Sequence, residues 1–253
     1  MPTALTPEVA LATRPRLWVL VPSFLLGAET WRGVGEVLHL LGQDVVRPKP
    51  VRTTPRHADH VSPWVNGVAD AIPPVTSTPI VVVGHSGSCP RLALVVDELV
   101  ERGHDVEAMI LVNGRLPEDG VVPTERDFPM SDTLDALVRP DDYLPPWHRW
   151  WGPMIVDMLP GDDARHRVLD EAKPVPRAVF DQPIPAPALP ESVGKGYLAL
   201  GDLYLPTMEA ARSDGFQVRR LDGEHLHMVV DPVSVAAALM GLCDATYACQ
   251  RLG

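Results

Sequence analysis

The stretch Pro79-Ile80-Val81-Val82-Val83-Gly84-His85-Ser86-Gly87-Ser88-Cys89-Pro90 limits what this chain can fold into more than any other. A β-branched apolar run leads into small residues. Beyond them Leu92, Val95, Val96 and Leu99 recur at helical spacing. A strand that turns sharply into a helix brings the two close together, so the flanks of the turn must be small, as Gly84 and Gly87 are. Ser88 occupies the place where a third glycine more often stands, and Pro90 suits a first helical turn because its missing N–H needs no partner there. A serine hydroxyl is a weak nucleophile until a base takes its proton, and such a turn presents it where a histidine can reach. Ser86 is therefore a candidate nucleophile, set against an ordinary polar turn.

The same alternation runs along the chain. Leu17-Trp18-Val19-Leu20-Val21 reads as a buried parallel strand ended by Pro22. Thr30 can cap a helix with Trp31, Val34, Val37, Leu38 and Leu41 on one face, and Gly42 can end it. Strands follow at 44–48, 80–83 and 106–112, then at 197–202 and 216–221, with helices at 61–72 and after Asp231-Pro232. The expectation is one α/β domain: a mostly parallel sheet with helices on both faces. Residues 1–15 read as an N-terminal arm, and 16–115 with 194–253 as the core. Residues 116–193 read as an inserted helical cap or lid. Fourteen of the 28 prolines fall in the insertion, together with Trp147, Trp150 and Trp151 and short helical pieces at 131–138, 147–159 and 162–171. The tryptophans line a substrate or pack a core, with equal weight.

Lys+Arg 22 against Asp+Glu 33 gives a net charge of −11, which repels phosphate backbones and anionic membranes, so nucleic acid and membrane are poor partners. Cys89, Cys243 and Cys249 are too few for a disulfide framework and lack zinc spacing, which fits a reducing cytoplasm. No run reads as a membrane span or a signal segment. His57 and His60 could meet only on a helix, and a metal site there lacks a third ligand. The chemistry expected needs no metal or cofactor.

Gly84-His85-Ser86-Gly87, Pro22-Ser23-Phe24 after the first strand and Gly223-Glu224-His225-Leu226 before the last helix together resemble the α/β-hydrolase family, from about Leu17 to the end of the chain. The run Gly-Glu-His-Leu-His-Met also resembles the histidine loop of polyketide and nonribosomal-peptide thioesterases, and the capped small chain resembles actinobacterial hydrolases. The resemblance implies Ser86 as nucleophile, His225 as base with His227 as its rival, and His85 as a packing neighbour. It implies an oxyanion hole from the backbone of Phe24 and Gly87. Two positions could hold the acid, and they carry Asn113 and Asp202. Asparagine can hold an imidazole but supplies no charge, so Asp202 is favoured, with Asp222 and Glu224 as nearest substitutes. The implied function is hydrolysis or acyl transfer of an ester or thioester on an apolar small molecule, in natural-product biosynthesis. The alternatives are a cyclase or lyase on the same scaffold, or a silent ligand-binding module.

Overall fold

A computed structural model describes residues 14–49, 51–74, 77–126, 128–150 and 153–252. The expected arm lies outside them apart from its last two residues. Six strands form one parallel sheet. Across the sheet they run β2 (Asp44–Val46), β1 (Leu17–Val21), β3 (Ile80–His85), β4 (Val106–Val112), β7 (Gly194–Leu200) and β8 (Gln217–Leu221). Helices α1 (Arg32–Leu40) and α10 (Pro232–Leu252) cover one face, while α2 (Ser62–Ala69), α3 (Leu92–Glu101) and α8 (Leu205–Ser213) cover the other. The period-2 alternation of strand side chains makes this two-sided packing possible: Leu17, Val19 and Val21 join the α2–α3–α8 core, and Trp18 and Leu20 join the α1–α10 core. Each such side chain, fully buried, stabilises the fold by about 1.5–3 kcal/mol.

Strand order sets the place for chemistry. After β1 the chain moves outward to β2, then returns to β3 on the other side of β1. Loops leaving β1 and β3 therefore diverge from adjacent strand ends, which is where parallel sheets open a crevice. Register aligns Val21 with Gly84, His85 with Val112, and Val112 with Leu198. The residues that follow these ends, Phe24, Ser86 and Asn113, are gathered at one edge before any side chain is considered.

Several local expectations change. Thr30 sits inside a 3-10 turn, Ala28–Trp31, and its hydroxyl donates back to the Gly27 carbonyl instead of capping α1. Pro90 likewise lies within a 3-10 turn, Ser86–Arg91, and α3 begins only at Leu92. Gly42, with φ 77°, does terminate α1, and after the short α9 (His227–Val230) Asp231 caps α10 by accepting from the Ser234 N–H at 3.0 Å. By length and composition Pro232–Cys249 is apolar enough to cross a membrane. In the fold Val235, Ala238, Leu239 and Leu242 of that helix are buried against the sheet.

Between β4 and β7 the chain forms α4 (Pro123–Arg126), α5 (Phe128–Leu137), α6 (Met154–Asp157) and α7 (Gly161–Glu171), with a short antiparallel ladder of β5 (Tyr143–Leu144) and β6 (Val175–Pro176). Leu134, Leu144, Trp150, Val175, Val179 and Phe180 make an apolar cluster of their own, which takes in Leu25 from the loop after β1. The insertion is thus pinned over the crevice.

Candidate active site

Ser86 has φ 53°, a left-handed conformation that a serine adopts only under constraint. The constraint is visible on every side. A Cβ on Gly84 would come within 2.9 Å of Leu92, and one on Gly87 within 2.8 Å of the Phe24 ring. Ser88, fully buried, spends its hydroxyl on the carbonyl of His85 at 2.8 Å, so serine takes the third small place by satisfying its own polar group. A Cβ on Gly114 would meet the Ser86 carbonyl at 2.5 Å. Asn113, with φ 47°, turns the chain so that this close approach can occur.

The side chains then meet. His225 Nε2 lies 2.9 Å from Ser86 Oγ, and His225 Nδ1 lies 2.8 Å from Nδ2 of Asn113. Oδ1 of Asn113 accepts from the Leu200 N–H at 2.9 Å, which fixes which way the amide faces. An amide nitrogen can only donate, so Nδ1 of His225 is an acceptor, and a neutral imidazole must carry its proton on Nε2. At rest His225 therefore donates to Ser86, and the serine proton is free to point into the cavity. Behind it His85 is fully buried, donates from Nε2 to the His225 carbonyl at 3.0 Å, and packs its ring against that of His225, tilted by 43° with 4.7 Å between centroids. Burial holds the His85 pKa well below its ordinary value and pulls that of His225 down to about 4.

Gly87 and Phe24 border Ser86 in a cavity of about 350 Å³, walled mainly by apolar groups including Trp147, Trp150, Phe180 and Ile155, with Arg91 and Arg115 as its charged members. Trp147 lies 5.8 Å from the His225 ring, ring centre to ring centre. Trp150 borders the cavity and is buried in the insertion's own apolar cluster, and its Nε1 donates to the Pro145 carbonyl five residues earlier at 2.7 Å. Trp151 lies outside the described residues.

No family model and no curated protein sequence matches the chain. Similarity is found among solved structures. An extracellular α/β-hydrolase from a Paenibacillus species, said to share structural and functional homology with tobacco salicylic acid binding protein 2, matches with TM-score 0.67 and 18% identity, over 89% of this chain and 98% of that one. A pyrethroid hydrolase from Sphingobium faniae gives TM-score 0.68 and 17% identity, over 92% and 98%. Methylketone synthase I from tomato, a histidine-to-alanine variant complexed with β-ketoheptanoate, gives TM-score 0.64 and 12% identity, over 92% and 100%. This chain has the α/β-hydrolase fold.

Within the α/β-hydrolase fold the structure corrects the choice of acid. Asp202 does not reach His225: its side chain is 77% exposed and pairs with Arg220 at 2.7 Å. The cause is local, since β7 ends at Leu200 and Gly201, at φ 67°, swings the chain out to the surface. Asp222 joins the same arginine, and Glu224 is exposed. His227 packs its ring on Gly223, where a Cβ would come within 2.4 Å of it, and is not bonded to Ser86. His57 and His60 bond separately to Thr54 and Thr53. Because an exposed ion pair contributes about 0–1 kcal/mol, Asp202→Asn is expected to leave turnover within about twofold of the native value, measured on any hydrolysed ester.

Tyr204 and Arg91 are the site neighbours that the sequence reading missed. The Tyr204 ring stacks on His225 at 5.9 Å. It lies just past Asp202, in a loop whose sequence stands out only for its acid. Arg91 stands five residues after Ser86, and the signal was a charged residue in a turn whose neighbours are all small or apolar.

The depressed pKa of His225 has a sign that can be measured. The neutral imidazole is the working form, so activity should hold constant as pH falls from 8 and should drop only as it approaches about 4. A pH–rate profile with its acid limb near 6.5 would show that His225 is not desolvated as the structure has it.

Proposed function

We propose that this chain is an esterase-type enzyme in which Ser86 attacks the carbonyl of an ester or thioester on an apolar small molecule, with His225 as the proton acceptor and Asn113 restraining the rate. The observation that carries this reading is a serine in left-handed conformation, φ 53°, 2.9 Å from an imidazole nitrogen and opening into an apolar cavity. Oxygen attack forms a tetrahedral oxyanion, for which the backbone of Gly87 and Phe24 is the expected donor pair. His225 takes the serine proton and returns it to the leaving group, and water or a hydroxyl within the substrate resolves the acyl-enzyme. For this His225 must first place its own proton on Nδ1, against the amide of Asn113. The named ligands and activities of the structural neighbours, a pyrethroid hydrolase and a β-ketoheptanoate complex, fit small apolar carbonyl compounds as the substrate class. Hydrolysis of p-nitrophenyl butanoate tests the assignment. His225→Ala should lose at least about a hundredfold, the ordinary value of general base catalysis, and His227→Ala less than about threefold. The opposite ranking would assign the proton transfer to the wrong histidine.

One observation favours a second reading, a lyase or cyclase. With Nδ1 accepting from Asn113, the resting site offers the Ser86 O–H as a donor to a substrate carbonyl or enolate, without covalent attack. Ser86 and His225 would then bind and move protons. The two readings part on whether Ser86 ever becomes acylated.

A further inference from the structure

Beside the Ser86 cavity lies another, of about 250 Å³, with a different character; Phe24 and Arg91 line both. Arg91 is 3% exposed. Its Nη1 donates to the Gly87 carbonyl at 3.0 Å and its Nη2 to the Val179 carbonyl at 3.3 Å, and its guanidinium lies 4.4 Å from the centre of the Phe24 ring. No carboxylate among the described residues forms an ion pair with it, and burial alone pulls its pKa down to about 10. A buried charge without a counter-ion is costly, and folded chains ordinarily pair it. The rest of the lining repeats the imbalance. Lys49, Arg52 and Lys173 face the cavity against Asp170 and Glu171, although the whole chain carries −11. Glu171 is already engaged, accepting from the Glu29 N–H at 2.7 Å and facing Lys49 at 3.5 Å, and Asp170 is exposed. Arg52 spends Nη2 on the carbonyls of Leu26 and Glu171, and among the described residues no carboxylate is hydrogen-bonded to it, the Glu171 carboxylate acting on it only through its charge.

We propose that this second cavity is an anion-binding site, in which Arg91 is the charge partner of a carboxylate or phosphate group on a small molecule and Arg52 and Lys173 guard the entrance. Both groups present the paired oxygens that a guanidinium binds through parallel hydrogen bonds. The site goes beyond the esterase reading and does not depend on it, since none of its charged groups except Arg91 borders the Ser86 cavity.

Calorimetric titration of the full chain with inorganic phosphate, benzoate and neutral benzamide tests the proposal. The expected result is one site for phosphate or benzoate and none for benzamide, and the tighter anion identifies the group that the site is built for. Arg91→Met should weaken that anion at least tenfold. The double variant Arg52→Gln with Lys173→Gln, both exposed, should weaken it at least threefold in a chain that still unfolds cooperatively. An anion held in the Ser86 cavity would not feel the double variant. Absence of binding by both anions, equal binding of benzamide and benzoate, or unchanged affinity in the double variant would overturn the proposal. If Arg91→Met does not fold, the double variant decides alone.

Discussion

Asn113→Asp is expected to raise simple ester hydrolysis by about 10² to 10⁴. The native amide donates to Nδ1 of His225 at 2.8 Å and is held in that orientation by the Leu200 N–H at 2.9 Å. To act as base toward Ser86, His225 must carry its proton on Nδ1, facing an NH₂ group. Turning the amide over instead would leave the Leu200 N–H facing an NH₂ group, and each unsatisfied buried group costs about 1–3 kcal/mol. A carboxylate at the same place accepts from both, and stabilises the imidazolium formed during attack. In the serine protease triad the reverse change, aspartate to asparagine, lowers turnover about 10⁴-fold by imposing the wrong tautomer. The left-handed turn at residue 113 is open to aspartate as it is to asparagine. The imidazole nitrogens report the cause directly: ¹⁵N shifts of His225 should show the proton on Nε2 in the native chain and on Nδ1 in the variant. An unchanged rate, with the proton already on Nδ1 in the native chain, would remove Asn113 as the restraint. A gain in ester hydrolysis with a loss of the native reaction would favour the lyase or cyclase reading.

Ser86→Ala should lower ester turnover by about 10² to 10³ while leaving the melting temperature nearly unchanged. Removing the serine from an efficient triad costs up to about 10⁶, but here the starting rate is already held down by Asn113, so less remains to be lost. Alanine meets the same backbone strain at φ 53° as serine does, and among the described residues the side-chain bond removed is the one from His225 Nε2. Measuring turnover and melting on one preparation separates loss of the hydroxyl from loss of the fold. Full turnover in the alanine variant would exclude covalent catalysis by Ser86.

The two kinds of information, fold and site, were unequally legible in the sequence. Apolar runs bounded by Pro22, Gly84 and Asn113-Gly114 announce parallel strands, because strands buried on both faces cannot hide their composition. The Ser86 turn was legible from its flanks: an apolar strand before it, a periodic helix after it and small residues at 84, 87 and 88 favour a tight strand-to-helix turn over an ordinary polar one. The partner of His225 was not. Choosing between Asn113 and Asp202 depends on where the chain points after each strand, and that is set by the left-handed residues Asn113 and Gly201, whose φ values no periodicity encodes. Charge preference favoured the aspartate, and the backbone overruled it. Arg91 escaped notice because its importance lies in the absence of a carboxylate, which only three dimensions reveal. Tyr204 depends on the same outward loop that misled the choice of acid.

Covalent labelling tests the proposed role of Ser86 most directly. The native chain and Asn113→Asp are exposed to a small alkyl fluorophosphonate, and intact mass is followed with time. The account expects one phosphonyl group per chain, located on Ser86 by fragmentation and absent from Ser86→Ala, forming slowly in the native chain and at least tenfold faster in Asn113→Asp. A native chain and an Asn113→Asp variant that both stay unmodified, while folded, would contradict it and leave Ser86 as a hydrogen-bond donor alone.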